Sequence, residues 1–317
     1  MAKTKYVKDP KGLPQLKKRA KALGKSIEQK ITSYQSFKED CMCYPFIGMD
    51  ISPGLVDDTF QELRTKYKDC DGRLNIIVDC GGGDIDAAYN LGMLFRKYGT
   101  KQLNFLIPRW AKSAATMLVC SGDMIYMSPV AELGPLDPQI TELNPLEGRL
   151  EQFSPLHIES TLDMIRKEFK DGNEKLAKGL MERLQFPLTL GGFIKYHEIG
   201  EQYLSKLLES RMLANDQDSN VARDKARVIS KKLTSGYADH GFCINIDEAK
   251  SIGLRIEDLE GDELDIIWEI HQLNKERREI VEGIKEIELL EKIKGLPPSI
   301  LDKLPHSLRD GIRKSLS

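Results

Sequence analysis

The chain has no run of about 18 uninterrupted apolar residues, the length a membrane-spanning helix needs, so no span is expected. It has no C-x-x-C pair. Of its six cysteines only Cys41 and Cys43 stand close together, and one intervening residue is not a zinc-ligand spacing. Reduced, mostly buried thiols and no metal site are expected. Neither G-x-G-x-x-G nor G-x-x-x-x-G-K-[ST] occurs, so no nucleotide cofactor is expected. The opening MAKTKYVKDPKG has charge but no apolar stretch after it, so no secretory signal is expected and the cytoplasm is the expected location. A net charge of −2 excludes a globally basic nucleic-acid binder.

What is present is enough for a packed core. Hydrophobic residues make up 40% and charged residues 30% of 317 positions. One α/β domain of roughly 200 residues with terminal extensions fits that length. The near-neutral total hides an asymmetry. Residues 1–30 hold ten Lys/Arg and two Asp/Glu, a local charge of +8, which leaves −10 for the rest. Such a block suits either a solvated helix or contact with an acidic partner, a nucleic acid or an anionic membrane surface.

Along the chain, residues 10–35 read as a basic helix after Pro10, and 45–49 as a short strand. LNIIVD at 74–79, LNFLI at 103–107 and MIYM at 124–127 are short apolar runs of the kind found in buried strands. Between them, 84–98 and 113–123 read as helices, so the alternation predicts an α/β domain with parallel pairing. The stretch 131–157, rich in Pro and Gly, reads as irregular; 158–183, 196–213 and 219–233 read as amphipathic helices, and 244–254 as a short capped helix. The tail at 262–294 spaces Ile266, Ile270, Leu273, Ile280, Ile284 and Ile287 four and three apart, with the pattern interrupted at Arg277. That suits a long helix packing on another helix, in its own chain or a neighbour's.

Two places carry chemistry. Cys80-Gly81-Gly82-Gly83-Asp84 follows a buried strand and opens a helix. Its glycines allow backbone N–H groups to approach a bound group without Cβ interference, at a helix N-terminus that favours negative charge. Asp84 and Asp86 disfavour phosphate there, which leaves a developing oxyanion or simply a tight turn. Second, Arg109-Trp110-Ala111-Lys112-Ser113-Ala114-Ala115-Thr116 places a serine between a strand and a helix of small residues. A serine there is often only an N-cap. Yet adjacent parallel strands would bring the glycine turn and Ser113 to one sheet edge, with the N–H groups of Gly83 and Ala114 flanking the hydroxyl.

The block from Ile76 to Ile140 resembles the serine dehydrogenase proteinase family, a branch of the Clp protease/crotonase superfamily related to signal peptide peptidase A. The resemblance rests on the Gly-Gly-acid turn, the P-R-x-A-x-S-A helix start, and Leu133-Gly134-Pro135-Leu136-Asp137-Pro138-Gln139. A second match joins Ser235-Gly236, Asp239-His240, Ile244 and the E-A-x-x-x-G-L run from Glu248 to Leu254. It implies a ClpP/crotonase-like spiral of repeated ββα units over 41–258. A basic helical extension at 1–40 and a helical tail at 259–317, a possible oligomerisation element, lie outside it. Cys80-Gly81 replaces the Ser-Pro of Clp subunits.

The resemblance implies a serine endopeptidase with Ser113 as nucleophile and Gly83 and Ala114 as oxyanion donors, and with no cofactor. Peptide or protein substrates, homo-oligomers and an activating partner are implied as well. The position of the Clp catalytic histidine falls on Pro138, so the base must come from elsewhere. His240 stands close to where Clp subunits place their third triad residue, with Asp239 beside it. Lys167 or Lys170 would match the downstream lysine of signal peptide peptidases, with Lys175 and Lys178 close behind. A lysine base must be desolvated, and these lie in a polar stretch. His157, His197, His271 and His306 read as ordinary. Two other readings stay open: a catalytically silent protein of this fold that binds peptides or partners, and a crotonase-type acyl-CoA enzyme.

Overall fold

The computed structural model describes residues 12–38, 41–137, 140–144, 149–153, 155–182, 190–214 and 218–294. These fall into two compact units, one within residues 37–267 and the other made of the terminal segments 12–36 and 268–294.

The larger unit is built on a parallel sheet. Its strands are β1 (Met42–Ile47), β2 (Arg73–Asp79), β3 (Gln102–Ile107), β5 (Met124–Met127) and β9 (Ile256–Asp258), in the order β1-β2-β3-β5-β9. Beyond its first residue β2 is buried throughout, and so is β3, which explains their unbroken apolar sequence rather than an alternating one. Helix α2 (Pro53–Lys66) connects β1 to β2. Helix α3 (Ile85–Tyr98) connects β2 to β3 and starts at Asp84, whose side chain accepts from the Ala87 N–H. The core runs through Phe46, Leu74, Ile76, Val78, Phe95 and Phe105.

Short second strands follow the main ones. After β3 come β4 (Trp110–Ala111) and helix α4 (Ala114–Val119); after β5 comes β6 (Glu132–Leu133). β4 pairs in parallel with β6, Cys80 bridges Ala111, and Leu133 bridges Ile244 in antiparallel sense. A main strand, a short strand and a helix follow one another in β3, β4 and α4, and around it the single bridges at Cys80 and Ile244 extend the short layer. The short strands are invisible in sequence because two residues have no period. The stretch 131–157 is more regular than expected. It contains β6, then an antiparallel hairpin of β7 (Ile140–Asn144) and β8 (Arg149–Phe153), and the start of α5 (Pro155–Lys170). Helices α6 (Glu174–Glu182), α7 (Leu190–Leu207) and α8 (Ser219–Ser235) follow, with a π-turn at Leu208–Met212 between the last two and the short α9 (Ile246–Ser251) before β9.

The smaller unit is a pair of helices. α1 (Leu13–Phe37) and α10 (Gly261–Lys294) are each continuous, with no break at Arg277 or Gly283. Ala20, Ile280 and Ile284 form a buried cluster with Leu13, Leu16, Leu23 and Val281 around it. Ion pairs Lys17–Glu288, Arg19–Glu276 and Lys30–Glu269 tie rising numbers in α1 to falling numbers in α10, so the two helices are antiparallel. The apolar stripe of the tail is therefore covered, over its later turns, by the N-terminal helix of the same chain. Three cations of the basic block meet acids of α10.

Among the described residues no helix is long and apolar enough to cross a membrane.

Candidate active site

β2 and β3 are neighbours and parallel, with Leu74 opposite Leu103 and Ile77 opposite Leu106. Their carboxyl ends therefore release the glycine turn and the Ser113 turn at one edge. The two turns are then locked together by backbone hydrogen bonds. The Cys80 N–H donates to Trp110 O at 2.8 Å, and the Lys112 N–H donates to Cys80 O at 3.1 Å.

Ser113 has φ 51 and ψ −127, and it is the sole non-glycine residue with positive φ among those described. That conformation costs of order 1–3 kcal/mol and persists only where its surroundings enforce it. Here they do. The helix behind it is anchored by Thr116, whose hydroxyl donates to Ala111 O at 2.7 Å and accepts from the Gly134 N–H at 3.1 Å. A sharp strand-to-helix turn of this kind presents a serine hydroxyl outward. Ser113 makes no side-chain cap hydrogen bond, so it is not spent as an N-cap.

The glycines are pinned on both sides. A Cβ on Gly82 would lie 2.8 Å from Ser113 Cβ and 2.9 Å from Lys112 O; one on Gly83 would lie 2.2 Å from Ile51 O. Ile51 bridges Gly83, with its N–H donating to Gly82 O and its O accepting from Asp84 N–H. The N–H groups of Gly83 and Ala114 have no hydrogen-bond partner among the described residues. Two free donors beside a free hydroxyl are what stabilisation of an oxyanion requires.

His240 sits in the turn before Ile244. Its Nδ1 is 2.6 Å from Oδ1 of Asp137, which is 2% exposed. That hydrogen bond raises the imidazole pKa above its ordinary value, against the lowering effect of burial; Asp239 adds a smaller push upward. Asp239, the sequence neighbour, is not the hydrogen-bonded partner: its carboxylate accepts from the Gly241 N–H at 2.7 Å within its own turn. Asp137 is the site residue that the sequence did not single out, although it stands next to Pro138, where the Clp histidine position falls.

Lys167 and Lys170 are exposed at the end of α5, which packs on α6 and α7, and Lys175 and Lys178 are exposed too. One cation does lie beside the Ser113 turn. Lys112 Nζ donates to Leu133 O at 3.1 Å and pairs with Glu132 at 2.8 Å. Glu132, held by Lys112 and Arg109, has its pKa drawn down to about 2.

No protein-family model matches the chain. Two proteins of Methanocaldococcus jannaschii are similar in sequence. The uncharacterized protein MJ0137 is 23% identical over 239 residues, 75% of this chain and 70% of that one. The uncharacterized protein MJ1495 is 22% identical over 213 residues, 67% of this chain and 62% of that one, so less than two thirds of its length is spanned. Among solved structures, a mutant of the 1510-N membrane-bound stomatin-specific protease is similar at 13% identity and a TM-score of 0.41, covering 68% of this chain and 79% of that one. ClpP1 from Listeria monocytogenes is similar at 12% identity and a TM-score of 0.36, covering 69% and 91%.

Proposed function

We propose that the protein is a serine peptidase. In this reading the Ser113 hydroxyl attacks a peptide carbonyl, the N–H groups of Gly83 and Ala114 receive the oxyanion, and His240 takes the serine proton. The observation that carries the reading is the backbone at Ser113. A strained, uncapped serine pressed against a glycine turn with two free N–H groups has no use as a packing device, and it is the arrangement acyl transfer needs. His240 is preferred as base over Lys167 and Lys170 because both lysines are exposed at the end of α5, whereas His240 is held by a buried carboxylate.

An active-site fluorophosphonate probe tests this directly. The wild-type chain should be labelled at Ser113 and hydrolyse peptide substrates. Ser113→Ala should remain folded, take no label, and lose hydrolysis by several orders of magnitude. A wild-type chain that takes no label, or an alanine variant that digests peptide at the wild-type rate, would overturn the reading.

A further inference from the structure

We propose that Asp137 is the positioning residue of this site, holding the His240 ring so that Nδ1–H points at its carboxylate and Nε2 is left to serve Ser113. The proposal rests on the peptidase reading of Ser113 and adds a residue to it.

The placement follows from register. Leu133 bridges Ile244 in antiparallel sense, with reciprocal hydrogen bonds of 2.9 and 3.2 Å. Counting four residues forward along one arm and four back along the other reaches Asp137 and His240, so the pairing that builds the short sheet also sets these two side chains opposite each other. β4 lies on the other side of β6, with Ala111 opposite Leu133, and Ser113 follows two residues on. Nucleophile, carboxylate and imidazole thus leave the same end of one small sheet.

The carboxylate is fixed more firmly than an ordinary surface acid. Asp137 precedes a proline in the sequence, which restricts its backbone to extended conformations. The Leu136 N–H donates to Leu233 O at 2.8 Å, tying the arm to the end of α8. A carboxylate only 2% exposed needs partners, and the Nδ1–H of His240 is one. The contact with the Asp137 carboxylate uses Nδ1, which leaves Nε2 as the nitrogen to serve Ser113. Nδ1 on a carboxylate with Nε2 free is the tautomer a general base requires.

The chain order is then serine, aspartate, histidine. The resemblance implied serine, histidine and a third residue. Across an antiparallel pair the two members face each other whichever arm bears which, so the fold accommodates the exchange. The chemistry balances. As the Ser113 Oγ–C bond forms, its proton moves to His240 Nε2. Nδ1–H stays in place, donating to an Asp137 that remains ionised. The Nε2 proton then passes to the leaving amine as the C–N bond breaks.

A purely structural Asp–His staple is the competing explanation, and three readouts on the full chain separate the two. Nitrogen NMR of the wild-type chain should find neutral His240 as the Nδ1–H tautomer; an Nε2–H tautomer would overturn the proposal without any variant being made. Asp137→Asn should slow fluorophosphonate labelling of Ser113 by about 10³–10⁴-fold, the scale seen when an orienting aspartate is lost. Asp137→Glu should recover part of the rate.

The pH profile gives the third readout. His240 must be neutral to act, so a raised pKa places the acid limb of the wild-type profile above the ordinary imidazole range near 6.5. Removing the Asp137 charge should move that limb to lower pH, while Asp239, the other acid acting on the ring, stays in place. In a His240→Ala background Asp137→Asn should cost nothing further. Labelling of Asp137→Asn at the wild-type rate with an unmoved acid limb would overturn this proposal alone. A wild-type chain that never reacts at Ser113 would overturn the peptidase reading and this proposal together.

Discussion

Two side-chain contacts to a carboxylate in this protein have the same length and different settings. His240 and Asp137 approach to 2.6 Å with side chains 34% and 3% exposed. Lys30 and Glu269 also approach to 2.6 Å, with side chains 38% and 50% exposed. Distance does not distinguish them; the burial of the carboxylate does. A buried Asp137 orients the imidazole and shifts its titration, whereas a pair with both members in water is screened and pays side-chain entropy to form. The same contrast separates the surroundings of the two pairs. At the sheet edge Lys112 O and Ser113 Cβ crowd Gly82 and the Ile51 backbone crowds Gly83, so neither position has room for a Cβ. In the helical pair Lys17–Glu288, Arg19–Glu276 and Lys30–Glu269 repeat one role along the seam, and the buried isoleucines hold it together.

Substitutions that add or remove a few atoms should break this contrast in graded steps. Gly83→Ala should have the largest effect. Its Cβ would fall 2.2 Å from Ile51 O at a φ of 140, so the turn must move and carry its N–H out of place. Loss of one oxyanion donor lowers kcat by about 10²–10³-fold, and peptide hydrolysis by the alanine variant should fall at least that far. Retention of full activity would show that the turn has slack. Ile280→Ala should come next. Ile280 is completely buried between the terminal helices, and such a truncation costs about 2–5 kcal/mol. Denaturant unfolding followed by helix content should show that loss. Lys30→Ala should do least, with a thermal midpoint within about 1 °C of wild type. A shift of several degrees would mean that the exposed pairs act as a coupled network.

Much of the fold was legible because burial on both faces leaves a plain mark. β2, β3 and β5 are apolar runs, and the edge they share followed from their order. The glycine turn and Ser113 were legible for the same reason, since each directly follows such a run. β4, β6 and β9 were not, because strands of two or three residues are made by their neighbours rather than by their own sequence. Asp137 was missed for a related reason. Its partner is 103 residues away, and no local pattern marks a contact made by strand pairing at that range. The stripe on the tail was visible from Ile266 to Ile287, but a stripe does not say what covers it, and α1 carries no label that names α10.

The backbone at Ser113 also has a consequence for how the sequence at this position can drift. A φ of 51 is one that glycine adopts freely and serine does not. On stability alone, glycine is the better residue there. Mutation followed by selection for folding would therefore replace the serine, and only selection for what its hydroxyl does would keep it. A copy of this gene released from that demand should lose the hydroxyl early and keep the fold, leaving a more stable protein with an empty turn.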